Sequence, residues 1–132
     1  MTVLAGYVPD ATGYAVVGEA VRAARLRRTS LTVVNCVGPD GAAGRGVADE
    51  RDLDAVSARL RGAEVEHEVR QVRLGGRDVG GCLLALAEDL HAELLVVGLT
   101  RRSRVGMLGS TVQQVLLDAA CPVLVVQTPL NR

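Results

Sequence analysis

ELLVVGLTRRSRVGMLGSTVQQVLLDAACPVLVVQ, residues 93–127, is the stretch that decides the fold of this 132-residue chain. Glu93–Leu99 is continuously apolar after its first residue, the pattern of a parallel strand buried on both faces. A loop rich in Gly and Arg follows, and Gly109, Ser110 and Thr111 open a helix whose apolar positions are Val112, Val115, Leu116 and Ala119. Pro122 stops that helix, and Pro122–Gln127 is a second apolar strand. Strand, helix, strand within 35 residues is a βαβ unit, whose parallel strands need a crossover helix.

The same alternation extends upstream. Thr2–Val8 reads as a strand broken by Pro9, Asp10 and Gly13, and Tyr14, Val17, Val21 and Ala24 then mark one helical face. Ser30–Val37 is a β-branched strand, and Gly38–Gly46 is a Gly-rich loop. Leu53, Val56 and Leu60 mark a second helix. Ala63–Val72 alternates, with Val65, His67 and Val69 on one face and Glu66, Glu68 and Arg70 on the other; a strand so charged belongs at a sheet edge. Val79, Leu83, Leu86 and Leu90 give a third helix. Five strands alternating with four helices predict an α/β domain, residues 1–132, with one doubly wound parallel sheet and helices on both faces. Ligands in such sheets sit beyond the carboxyl ends of the strands, so the loops of interest are Pro9–Gly13, Gly38–Gly46, Leu74–Asp78 and Gly98–Ser110.

Composition narrows the function. The apolar fraction of 48% supports a globular core, and with no Trp or Phe that core must be aliphatic. Fifteen basic and fifteen acidic residues balance, which gives no general affinity for nucleic acid or an anionic membrane. Every basic residue is Arg, which excludes Lys Schiff bases and the Lys of a phosphate-binding P-loop. The absence of Lys also excludes a phospho-receiver domain, and GYVPDATG after the first strand lacks the GxGxxG of a dinucleotide fold. Cys36, Cys82 and Cys121 are odd in number and widely spaced, which suits neither a disulfide framework nor a zinc site and predicts a reducing compartment. No basic region precedes the first apolar stretch and no apolar run is long enough to span a membrane, so a cytoplasmic location is expected.

The loop after Gly98 can serve an anion. Helix N-terminal amides are unpaired and attract negative charge, Ser110 or Thr111 can bond a phosphate, and Arg101, Arg102 and Arg104 add forked donors. Ser or Thr at a helix start is equally ordinary capping, and exposed Arg is equally ordinary surface. His67 and His91 stand outside any cluster of metal ligands and read as structural; Ser103 and Ser110 have no His–Asp partners for hydrolysis. Cys36 and Cys121 read as small apolar packing, with a reactive thiol as the alternative at Cys36.

At these residues the chain resembles the universal stress protein family. The family joins a strand ending VVG to Gly-x2-Gly-x9-Gly-Ser/Thr and to a helix ending CPVLVV. Gly98, Gly109 and Ser110 match the glycines and the Ser/Thr, and AACPVLVV (Ala119–Val126) matches the junction. GYVPDATGYAVVGEAVRAARLRRTSLTVVNCV resembles the family's first strand, helix and second strand in a GYVP variant, and AEDLHAELLVVG resembles the approach to strand four. The resemblance implies the adenine nucleotide alpha hydrolase-like, Rossmann-like fold with strand order 3-2-1-4-5. It implies a non-catalytic stress-response module with ATP or AMP held by Tyr7, Val8, Pro9, Val34, Asn35, Cys36, Gly98, Arg101, Gly106, Gly109, Ser110 and Thr111, and no metal beyond nucleotide-bound Mg; the alternatives are a nucleotide-independent dimeric scaffold acting through protein partners and, third, a slow ATPase. Two departures imply weak or altered ATP binding. The motif's second Gly falls at Arg101, with only seven residues between it and Gly109 where the pattern has nine, and Gly106 is a partial substitute. The Asp that ATP-binding members carry at the end of strand one is Val8, with Asp10 two residues on. The apolar last strand, Pro122–Gln127, would be the other sheet edge, which predicts a homodimer paired through it.

Overall fold

The computed structural model of the chain describes residues 1–38, 46–100 and 110–128. The elements alternate as expected: β1 (Thr2–Gly6), α1 (Ala11–Arg27), β2 (Ser30–Val37), α2 (Glu50–Gly62), β3 (His67–Arg73), α3 (Val79–Asp89), β4 (Ala92–Thr100), α4 (Ser110–Asp118) and β5 (Val123–Thr128). The sheet has the order β3-β2-β1-β4-β5 and every pairing is parallel. β1 is central. Its Ala5 lies opposite Val33 of β2 and Val96 of β4, and Gly6 lies opposite Val34. The winding direction reverses between β1 and β4, where an open α/β sheet offers a crevice.

Alternation along the strands divides the core in two. Val3, Ala5, Tyr7, Val33 and Val96 pack against Val16, Val17 and Ala20 of α1 and Val56 and Leu60 of α2. Leu4, Val34, Leu95 and Val97 pack on the other face against Leu83 of α3 and Val112 and Val115 of α4. Tyr7 apart, these layers are aliphatic, and each fully buried Leu or Val contributes on the order of 1.5–3 kcal/mol.

Aspartates start three of the helices. Asp10 accepts from Gly13 N–H at 2.8 Å, and Asp78 accepts from Gly81 N–H at 2.8 Å. Asp49 and Asp52 form a reciprocal capping box at α2. Each satisfies an amide that the helix leaves unpaired.

Element edges differ from the sequence reading by a few residues, for local reasons. β1 ends at Gly6 rather than Val8, because the Val8 carbonyl turns back to accept from Asp10 N–H at 2.9 Å. β3 begins at His67 rather than Ala63, because Ala63 caps α2 and Glu64 adopts the left-handed region at φ 58°. Pro122 stands just before β5, its carbonyl accepting from Leu95 N–H. Leu116, expected on the inner face of α4, is exposed; the short helix buries Val112 and Val115 instead.

Candidate functional site

The carboxyl ends of β1, β2 and β4 lie together at the switch point. Beyond Gly6 the chain runs one residue further along β2, with Tyr7 N–H donating to Val34 O at 2.8 Å. It then bends through Val8 and Pro9 into α1. That bend requires glycine at position 13: a Cβ there would stand 1.7 Å from the Val8 carbonyl oxygen. Gly98 has a parallel role at the end of β4. A Cβ there would stand 2.5 Å from Thr12 Cγ2 and 2.9 Å from Val16 Cγ2, so its absence lets the start of α1 close onto β4. Thr12 Oγ1 and Thr128 Oγ1, 2.7 Å apart, tie the same corner to β5.

Asn35 organises the other side. It is fully buried, and all four of its side-chain hydrogen-bonding positions are used. Its Nδ2 donates to Tyr7 O at 2.8 Å and Gly46 O at 2.7 Å. Its Oδ1 accepts from Ala48 N–H and from Gln71 Nε2, both at 3.0 Å. Gln71 Nε2 also donates to Ala48 O at 2.8 Å. One amide thus fixes the end of β1, the segment entering α2 and the edge strand β3. Its side chain is engaged with the protein, so it shapes the crevice rather than reaching into it.

The remaining sequence-derived positions fall as follows. Tyr7 is buried, with burial foremost and Asp52 and Asp10 next raising its phenol above the ordinary value. Val8 is 37% exposed and carries no polar group where ATP-binding members have their Asp. Asp10, two residues on, is committed to capping α1. Val34 is buried against the α3–α4 layer, and Cys36 turns its sulfur toward Cys82 of α3, 3.4 Å away. Ser110 is exposed as the first residue of α4, with Thr111 beside it. Arg101, Gly106 and Gly109, with Arg102, Ser103 and Arg104, lie outside the described residues. His67 bonds the Val65 carbonyl through Nδ1 at 2.7 Å, and His91 follows α3 at φ 51°. Among the described residues no group of His, Cys, Asp and Glu could hold a metal ion.

A cavity of about 260 Å³ flanks this corner on the α1–α2 side, where Arg59 stacks on the Tyr14 ring at 3.7 Å and donates from Nη1 to Tyr14 O at 2.8 Å. It is smaller than the roughly 300–1,000 Å³ of small-molecule pockets, and its Arg is already engaged. No helix among the described residues is long and apolar enough to cross a membrane.

Residues 1–127 match the model of a family described as the universal stress protein family. A universal stress protein of Mycolicibacterium smegmatis is 35% identical over 127 residues, covering 95% of this chain and 96% of the relative. A universal stress protein solved in complex with cAMP superposes with a TM-score of 0.78 at 24% identity, covering 97% of each chain. One from Archaeoglobus fulgidus in complex with dAMP superposes at 0.69 and 23% identity, covering 95% of each chain.

Proposed function

The chain belongs to the universal stress protein family, and from that premise we propose that it is a non-catalytic stress-response module whose crevice binds an adenosine monophosphate more readily than ATP. The observation that carries this reading is the switch point itself. The end of β1, fixed to β2 through Tyr7 and Asn35, lies beside Gly98 at the end of β4, and the chain leaving β4 enters α4 at Ser110. Base and ribose would lie against Tyr7, Val8 and Pro9 and the end of β2, with the phosphate at the unpaired amides and hydroxyls of Ser110 and Thr111. Arg101, Gly106 and Gly109 belong to the same phosphate loop by sequence.

Two features support a monophosphate over a triphosphate. The loop from Arg101 to Gly109 is two residues shorter than the family pattern and carries Arg where that pattern has Gly. Two similar structures were solved with a monophosphate, cAMP in one and dAMP in the other. The Val8 side chain offers the ribose no hydrogen bond, which keeps affinity low. A nucleotide-bound Mg has no part in this reading, since a single phosphate needs no counter-ion bridge. Among the described residues the crevice brings together no nucleophile and base. The chain acts as one domain over residues 1–132, in the cytoplasm, as a homodimer through the exposed edge of β5.

Thermal melting with AMP and with ATP tests the binding. A ligand at a hundredfold excess over its dissociation constant adds about 2.7 kcal/mol of stability. AMP is expected to raise the melting temperature, ATP to raise it little or not at all, and Gly109→Arg to abolish the AMP shift. No shift with millimolar AMP, or a larger one with ATP, overturns the reading.

A further inference from the structure

Cys36 and Cys82 stand 46 positions apart in sequence and meet with their sulfurs 3.4 Å apart. Cys36 is near the end of β2 and Cys82 is in α3, and both are free thiols. That separation exceeds a disulfide bond of about 2.05 Å by roughly 1.4 Å, a distance that small side-chain rotations can close. The pair is also polarised. The Cys36 S–H donates to the Cys82 sulfur. Burial first, and then this hydrogen bond, push the Cys36 thiol up to about 12. Cys82, the accepting sulfur and the one that lines a surface cavity, is the nucleophile.

Access comes from the side. Cys82 lines a surface cavity of about 270 Å³ between β3 and α3, together with Arg73, Arg77 and Asp89. The cavity gives a small polar oxidant a way to the Cys82 sulfur. The third thiol, Cys121, lies just before β5, lines a different cavity and does not join this pair.

We propose that Cys36 and Cys82 form a redox site that a peroxide closes reversibly to an intrachain disulfide. The Cys82 sulfur, its proton shed to solvent, attacks one oxygen of hydrogen peroxide. The O–O bond breaks, hydroxide leaves and is protonated to water, and Cys82 becomes a sulfenic acid. The Cys36 sulfur then attacks the Cys82 sulfur. The S–O bond breaks, and hydroxide departs with the Cys36 proton as a second water. Two thiols give up two electrons and two protons, and one peroxide becomes two waters. A small thiol reductant restores the pair by exchange. The bond would fasten the end of β2 to α3, next to the crevice wall that Asn35 organises.

The test is a thiol count on the intact chain after peroxide, followed by unfolding and mass mapping without reductant. Titratable thiols are expected to fall from three to one, with peptides containing Cys36 and Cys82 linked, and dithiothreitol to restore all three. A Cys121→Ser variant should fall from two thiols to none, and Cys82→Ser should form no intrachain link. Retention of three thiols, oxidation of either sulfur to sulfinic acid without a link, or cross-linking between chains through Cys121 would each overturn the proposal. The unsubstituted chain decides the matter even if a variant fails to fold.

Discussion

Replacing Asn35 by Ala should be among the most damaging single changes in the molecule. Four hydrogen bonds vanish at once. Two of the abandoned partners, the Tyr7 carbonyl and the Ala48 N–H, belong to buried residues, while Gln71 is exposed and turns to water. A buried group left unsatisfied costs about 1–3 kcal/mol, so the two buried partners give about 2–6 kcal/mol. A domain of this kind has about 5–15 kcal/mol in total, so a large share of the stability is at stake. Asn35→Asp should be no milder, because it keeps the shape but sets a buried carboxylate against the Tyr7 and Gly46 carbonyls. Urea unfolding measures the loss, and amide exchange locates it: Ala48 N–H should lose its protection before the centre of β1 does. A loss below 1 kcal/mol, or unchanged protection at Ala48, would refute the assignment of Asn35 as the organiser of the crevice.

Three further outcomes follow from named contacts. Gly98→Ala places a methyl 2.5 Å from Thr12 Cγ2 and should cost about 1–3 kcal/mol in chemical unfolding as α1 is forced off β4. Light scattering at tens of micromolar should give the mass of a dimer, and Val125→Pro, which removes a backbone donor from the edge strand β5, should give a monomer that keeps its helical circular dichroism. Stability should fall at alkaline pH. The Cys36 thiol titrates near its ordinary value of 9.0 in the unfolded chain and at about 12 in the folded one, so the folded state holds the extra proton. The contribution is whole below pH 9 and is lost as pH rises toward 12, at no more than about 1.4 kcal/mol per pH unit. Tyr7 acts in the same direction, no Lys titrates alongside, and Cys36→Ala should flatten the decline.

Where hydrophobic period and turn residues agree, the architecture is legible from sequence alone. Ser30–Val37 is a strand with the same bounds in both readings, because its β-branched run ends at Gly38. The charged alternation of Glu66, Glu68 and Arg70 places β3 at an edge, since a central parallel strand could not bury those groups. The start of β3 is not legible in the sequence, because a non-glycine left-handed residue, Glu64, leaves no compositional mark. The helix caps were readable in principle: D-x-x-G at Asp10 and Asp78 and D-x-x-D at Asp49 are N-terminal signatures. Asn35 carried the opposite difficulty. Its position at the end of a strand pointed to a ligand contact, but its partners Tyr7 and Gln71 are 28 and 36 residues away. No local pattern reports a bond of that span. The meeting of Cys36 with Cys82 was hidden for the same reason, because spacing along the chain says nothing of two sulfurs brought together across a strand and a helix.

The central claim is a nucleotide site at the switch of the sheet, and a crystal structure of the chain soaked in AMP tests it most directly. Density for the nucleotide is expected between the ends of β1 and β4, its base and ribose against Tyr7, Val8 and Pro9 and its phosphate at Ser110 and Thr111. Absence of density there at saturating AMP, or a nucleotide seated instead in the cavity between α1 and α2 beside Tyr14 and Arg59, would contradict it.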